Sequence, residues 1–298
     1  MTETAGAPFN EQILATSPNA DLSLIDVMTP SPTEDHMVFV GLANPYGAMG
    51  IYGGHFLGQA LAAGLATVDE PKMAHSFHAY FLRKGDPEVP IEYRVTSLRN
   101  GRGSDARTIS GWQNGAETFH MIASFKLPEE GHEHQPTAPV VTPGQELFDA
   151  RIARGEERFP FPMQQNGWAD MEWATPSFRE FDPDREAILR VWMRIPGGEE
   201  LQPRQQQIVL AFLSDGPLMF NSVVPYGLAM ETHWATSLDQ SVWFHRTVDP
   251  SQWMLFDQRS TAATDGRGMN EGEIYTADGT LIMTCAQESM LRRIPETS

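Results

Sequence analysis

Residues 54–68 leave little freedom to the fold. They read Gly54-His55-Phe56-Leu57-Gly58-Gln59-Ala60-Leu61-Ala62-Ala63-Gly64-Leu65-Ala66-Thr67-Val68. The apolar side chains fall all round a helical wheel, and a helix with no polar face is buried on every side. Most of them are small, so another backbone can approach closely. A second unbroken apolar run, Ile208 to Leu213, comes after Pro203, which suits the first turn of a helix. Gly216-Pro217 then ends or kinks that helix near Asp215. Central helices are therefore predicted over 54–68 and 204–215, and the rest of the chain has to cover them.

Beyond the first helix the period changes to two. Residues 74–82 carry Phe77, Tyr80 and Phe81. Ile91, Tyr93 and Val95 alternate with polar residues before Asn100-Gly101, and residues 106–113 meet Asn114-Gly115. Phe119, Met121, Ala123 and Phe125 alternate again. Asn-Gly between alternating runs is a strong hairpin signal, so residues 74–126 read as an antiparallel meander. Around the second helix, strands are predicted over 188–193, 237–244, 253–259 and 281–291, with a hairpin turn at Asp278-Gly279. The halves share a pattern. Tyr80-Phe81-Leu82-Arg83-Lys84-Gly85-Asp86-Pro87 and Trp243-Phe244-His245-Arg246-Thr247-Val248-Asp249-Pro250 both read aromatic-Phe-x-Arg-x-x-Asp-Pro, 163 positions apart. The turns Asn114-Gly115 and Asp278-Gly279 lie 164 apart. Each half thus reads as an α+β unit in which a curved antiparallel sheet wraps a buried helix.

The 298 residues carry 41% hydrophobic side chains, enough for a packed core, and about two domains' length. A net charge of −18 argues against duplex DNA or an anionic membrane surface as the main partner. One cysteine, Cys285, excludes an internal disulfide and a cysteine-based zinc cage and fits a reducing cytoplasm. No signal peptide is expected at Met1–Phe9, no peroxisomal Ser-Lys-Leu ends the chain, and no run of ~18 apolar residues suggests a membrane span. Composition shifts at Pro128, and residues 128–185 read as a linker with some local structure.

Several segments together carry a family resemblance. The first half has Gly53-Gly54-His55-Phe56-Leu57-Gly58-Gln59-Ala60-Leu61, His75-Ser76-Phe77-His78-Ala79-Tyr80-Phe81-Leu82-Arg83-Lys84-Gly85-Asp86, and Gln113-Asn114-Gly115 leading to Ala123-Ser124-Phe125. The second has Ser237-Leu238-Asp239-Gln240-Ser241-Val242-Trp243-Phe244-His245-Arg246 and Gln287-Glu288-Ser289-Met290-Leu291-Arg292. Over roughly residues 35–293 the chain resembles the acyl-CoA thioesterase II family of tandem double-hotdog proteins. The resemblance implies two curved antiparallel sheets, each wrapped around a central helix, in units over 1–135 and 186–298 joined by a linker over 136–185. It implies hydrolysis of fatty acyl-CoA to free acid and CoA, with no cofactor and no metal, and a catalytic trio at Asp215, Ser237 and Gln287. His55 stands where the family usually has glutamine. Gly101-Arg102-Gly103-Ser104, with Arg107 just after it, replaces the family's Gly-x-Ser-Phe. Both departures bear on substrate shape.

The residue chemistry leaves alternatives beside this. Asp215 is either a base desolvated by Ile208–Leu213 or a solvated helix-end residue. Ser237 competes with Thr236 for the hydroxyl role. Gln287 shares a face with Leu281, Met283 and Cys285, so it is either a satisfied interior amide or a contact to substrate or water. Residues 83–107 are locally basic, which makes Arg83 and Arg107, with His55, the candidate substrate-binding residues. Gly101–Ala106 resembles a dinucleotide loop, but it leads into a strand rather than a helix. His132-Glu133-His134 lies in a Pro- and Glu-rich stretch and reads as a surface loop. Three functions stay open: a hydrolase, a non-catalytic acyl-CoA-binding protein, and a hydratase acting on enoyl-CoA. A homodimer or larger homo-oligomer is expected from open sheet edges.

Overall fold

The computed structural model describes residues 19, 21–44, 50–156, 167–227 and 231–295. The readings of the N-terminal stretch and the last three residues lie outside them. In chain order the elements are α1 (Leu24–Met28), β1 (Ser31–Pro32), β2 (Val38–Gly41), α2 (Gly53–Ala66), β3 (Met73–Phe81), β4 (Ile91–Asn100), β5 (Ser104–Gln113), β6 (Ala116–Lys126) and α3 (Gly144–Arg154). The second half continues with β7 (Asp170–Trp173), β8 (Ile188–Arg194), α4 (Pro203–Ser214), β9 (His233–Ser237), β10 (Asp239–Phe244), β11 (Met254–Thr264), β12 (Arg267–Thr276) and β13 (Leu281–Arg293).

Helices α2 and α4 are enclosed as their composition requires: every residue of α2 from Gly54 to Leu65 is buried, and so is α4 from Gln207 to Ser214. They run antiparallel and touch through backbone. A Cβ at Gly54 would stand 2.2 Å from the Phe212 carbonyl oxygen, and one at Gly58 3.4 Å from that of Ile208. At the other end, the Arg204 guanidinium donates to the Leu65 and Val68 carbonyls at 3.1 and 3.0 Å. The small residues of α2 therefore permit close approach to α4. The larger ones, Phe56, Leu57 and Leu61, enter the single main core, where full burial of such a side chain contributes about 1.5–3 kcal/mol.

The expectation of two separate sheets is corrected. The strands form one antiparallel sheet in the order β1-β2-β4-β5-β6-β3-β10-β13-β12-β11-β8-β7, with β9 paired to β13. The halves join where β3 and β10 pair, from Asp239 opposite Tyr80 to Trp243 opposite Ser76. Each half-sheet would otherwise present an edge of unpaired N–H and C=O groups there, and pairing them satisfies both. The order is a mirror image about this seam: β2-β4-β5-β6-β3 on one side, β8-β11-β12-β13-β10 on the other. Tyr80-Phe81 and Trp243-Phe244 end the two seam strands, and Asn114-Gly115 and Asp278-Gly279 turn equivalent hairpins.

Three local features differ from the sequence reading. Asp265-Gly266 makes the β11–β12 hairpin, with both residues at positive φ like Asn114-Gly115, so β11 runs on to Thr264. The strand predicted over 237–244 is two strands, broken at Leu238, which both pair with β13. Residues 128–185 include α3, whose Leu147 and Phe148 pack against Trp192, Trp253 and Leu255, and β7, which pairs with β8. Among the described residues no helix is long and apolar enough to cross a membrane.

The helix contact generates a stability prediction. Gly54→Ala adds a methyl against the Phe212 carbonyl and should destabilise by about 1–3 kcal/mol, although alanine is the better helix former by ~1 kcal/mol. Gly103→Ala, where the new methyl meets nothing within 4 Å, should leave the urea midpoint unchanged.

Candidate active site

The site lies where the C-terminal end of α4 meets the N-terminal end of α2. A helix leaves its last four carbonyls without helical partners. Here each has one. Ala211 accepts from the Ser214 hydroxyl at 2.8 Å, Phe212 from the Tyr52 hydroxyl at 2.9 Å, and Leu213 from the Gly216 N–H at 3.1 Å. Ser214 accepts a longer bond, 3.4 Å, from the Gln240 side-chain amide. Asp215 is the C-cap residue of α4. Its carboxylate reaches across to the start of α2 and accepts from the Gly54 N–H at 3.0 Å. The residue that precedes α2, Tyr52, offers its own helix no side-chain cap. Asp215 therefore caps α2 from another element, and Tyr52 returns a bond to the end of α4.

Two more donors converge on the same carboxylate. The Ser237 hydroxyl donates to Oδ1 at 3.0 Å, and Gln287 Nε2 donates to Oδ1 at 2.6 Å. The break at Leu238 ends β9 with Ser237 toward Asp215, whereas Thr236 is exposed on the other face of the strand. Gln287 is on the inner face of β13 and fully buried, and its Nε2 also donates to Gln240 Oε1 at 2.8 Å. Asp215, only 4% exposed, has its carboxyl pushed up to about 7. Burial is the main cause, opposed by the bonds from Ser237, Gln287 and Gly54. A carboxyl poised near neutrality, with its lone pairs oriented by three donors, can take a proton from water at ordinary pH.

The other predicted site residues are placed differently. His55 is next to Gly54 in the chain but is fully buried, and its Nε2–H donates to the Leu42 carbonyl at 2.7 Å. Desolvation pushes its pKa down to about 4, so the ring is neutral. Gln59 Nε2 bonds the same carbonyl, and the two side chains anchor the segment that leaves β2. Arg83, exposed beyond the end of β3, donates to the Glu117 carbonyl. Arg107 is 4% exposed and is committed to internal acceptors: Thr67 Oγ1 and carbonyl, Ser97 Oγ, and the Arg99 and Ala106 carbonyls. Thr67 caps α2 as Asp215 caps α4. Arg107 pairs with Ala123 across β5–β6, as Asn270 pairs with Gln287 across β12–β13. In the mirrored half the guanidinium thus occupies the ground that Asp215 and Gln287 hold in this one.

Residues that the sequence reading passed over are Gly54, through its N–H, and Gln240. Gln240 alternates with Val242 and Phe244 on one buried face of β10, as Gln287 alternates with Met283 and Cys285 on β13. His132, Glu133 and His134 lie in an exposed loop, and among the described residues no three His, Cys, Asp or Glu side chains cluster to hold a metal.

Two family descriptions match the chain: an acyl-CoA thioesterase N-terminal domain over residues 42–126 and an acyl-CoA thioesterase C-terminal domain over 144–291. Acyl-CoA thioesterase 2 of Haemophilus influenzae is 32% identical, with 87% of this chain and 93% of that protein aligned. Human acyl-coenzyme A thioesterase 8 is 31% identical over 94% of this chain and 93% of its own. An acyl-CoA thioesterase II from Mycobacterium marinum superposes with a TM-score of 0.77 at 27% identity, covering 92% of this chain and 100% of the other. A hotdog-fold protein from Alicyclobacillus acidocaldarius gives 0.74 at 20% identity over 91% and 97% of the two chains. With both halves matched and relatives above 30% identity along most of its length, the chain belongs to the acyl-CoA thioesterase II family.

Proposed function

We propose that this chain is a double-hotdog acyl-CoA hydrolase in which Asp215 activates water. It hydrolyses acyl-CoA to a free acid and CoA. The observation that carries the mechanism is the convergence of Ser237, Gln287 and the Gly54 N–H on one buried carboxylate. Asp215 takes a proton from water as the water oxygen bonds to the thioester carbonyl carbon. Ser237 donates its own proton to Asp215, so its oxygen lone pairs are free to accept from that water. The positive end of the α2 dipole faces the developing oxyanion. As the C–S bond breaks, the proton on Asp215 passes to the departing sulfur. A hydratase would want an acid–base pair of Asp and His beside the helix, and His55 turns to the Leu42 carbonyl instead. Nothing in this arrangement requires a cofactor.

The same reading includes units over 1–135 and 186–298 with a connecting segment over 136–185, a fatty acyl chain on the substrate, a cytoplasmic location and a homodimer or larger assembly. Arg83, with its neighbour Lys84, is the proposed contact to the CoA phosphates.

The primary experiment tracks CoA release from a panel of short, long, branched and hydroxylated acyl-CoA esters. Asp215→Asn, Ser237→Ala and Gln287→Ala should each lower kcat by ~10²–10³-fold, and the losses should not add because Ser237 and Gln287 both act together with the one Asp215 carboxylate. A folded Asp215→Asn chain with near-normal turnover would refute the mechanism. Base catalysis needs the ionised carboxylate, so kcat/KM should rise with pH through about 7 and then level off. Stability should change the opposite way. The folded pKa is raised, so the native state holds the proton more tightly than the unfolded chain. Stability is therefore lost as pH climbs from about 4 to about 7, by up to roughly 4 kcal/mol. Arg83→Glu should raise KM for CoA esters more than for pantetheine esters of the same acid, and equal effects would remove Arg83 from the phosphate site.

A further inference from the structure

We infer that Gln240 is a positioning residue for the hydrolysis, holding the Gln287 side-chain amide with its N–H groups toward Asp215. The inference rests on the proposed role of Asp215. Gln240 is fully buried on β10, and its Oε1 accepts from Gln287 Nε2 at 2.8 Å. Its own Nε2 faces the Ser214 carbonyl and hydroxyl oxygens at 3.4 and 3.3 Å. The Ser214 hydroxyl already donates to Ala211, so both Ser214 oxygens face Gln240 as acceptors.

That fact sets the polarity of the whole chain of contacts. A carbonyl only accepts, so Gln240 must present Nε2 to Ser214 and Oε1 to Gln287. An amide oxygen only accepts, so Gln287 must present Nε2 in turn. Both protons of Gln287 Nε2 are then used, one on Gln240 and one on Asp215 Oδ1 at 2.6 Å. The contacts form a ring that starts at Ser214 and closes on its neighbour Asp215. Gln287 Oε1 accepts from the Ser289 hydroxyl at only 3.4 Å, so Gln240 makes the shorter of the two contacts that tell Gln287 which end of its amide to point at the carboxylate. If the oxygen end pointed there, two acceptors would face each other in a buried site, and Asp215 would lose its shortest hydrogen bond. Gln287 therefore acts by orienting and ionising Asp215 and has no N–H left for the oxyanion. Two other titratable groups in this region, His55 on α2 and Cys285 on β13, stay neutral, since burial lowers the first pKa and raises the second. Asp239 and Glu288, beside the two glutamines, lie on the opposite strand face, where Asp239 accepts from the Glu288 N–H at 2.8 Å.

The test compares Gln240→Leu with the parent chain and with Gln287→Leu and the double variant, using one acyl-CoA substrate across pH 5–9. Leucine is close in volume and leaves the Ser214 hydroxyl its Ala211 partner, so the variant should fold, and its thermal transition checks this. Gln240→Met is a second, unbranched replacement. The expected result is a kcat about 10-fold lower, KM within about two-fold, and the acidic limb of kcat/KM moved up by about one pH unit, since a donor to the ionised carboxylate is lost. In the Gln287→Leu background, Gln240→Leu should change kcat by less than about two-fold, because its effect passes through Gln287. An unmoved limb, or an equal loss with and without Gln287, would overturn the inference. Failure of the underlying reading looks different: full turnover by Asp215→Asn, or no acidic limb in the parent.

Discussion

Everything else in the molecule is arranged around the contact between two antiparallel helices that have no outer face. They meet backbone to backbone because Gly54 and Gly58 leave nothing between them. The contact forces the N-terminus of one against the C-terminus of the other. Unpaired N–H groups and unpaired carbonyls, each costly when buried, are thereby brought together. The two ends satisfy each other through exchanged side chains, Asp215 toward α2 and Tyr52 toward α4. The carboxylate that completes this capping is the one proposed to do the chemistry. Structural need and reactivity coincide in it: the burial that makes capping necessary also raises the Asp215 pKa toward neutrality.

The sheet arises from the same requirement. Helices buried on all sides need a cover on each, and two half-sheets supply it. Their free edges at β3 and β10 then pair, which turns two covers into one continuous surface. Most inner residues of that surface are apolar, and near the helix ends it carries a group of buried polar side chains, Gln240, Asn270, Gln287 and Ser289.

Much of this was legible in the sequence, for definite reasons. Helix positions came from all-round apolarity, and the hairpins from Asn-Gly and Asp-Gly between alternating runs. The duplication came from Tyr80-Phe81 recurring as Trp243-Phe244. The joining of the half-sheets was not legible, because periodicity shows which face of a strand is buried and not which strand lies beside it. Asp265-Gly266 went unread because exposed residues such as Thr261 and Thr264 precede it and mask the alternation. At the site, the resemblance points to Asp215, Ser237 and Gln287 together, and the apolar runs around Asp215 and Gln287 are compatible with that assignment without singling them out. The Gly54 N–H has no side-chain signature. Arg107 reads in sequence as an anion contact because it stands in a basic stretch, and its burial against the Thr67 carbonyl at the end of α2 and the Arg99 carbonyl of β4 has no signature there.

Arg107 also shows what joining two copies in one polypeptide permits. In a symmetric pair of identical chains, any side chain that fills one helix-end niche must fill the other, so reactivity and reinforcement cannot be allotted separately. Here the niche at Thr67 is closed by a guanidinium that ties β4 and β5 to the end of α2, while the niche at Asp215 keeps amides and a hydroxyl. Each half is released from being a copy of its neighbour. One becomes a keystone, and the other is free to carry a carboxyl group that resists ionisation.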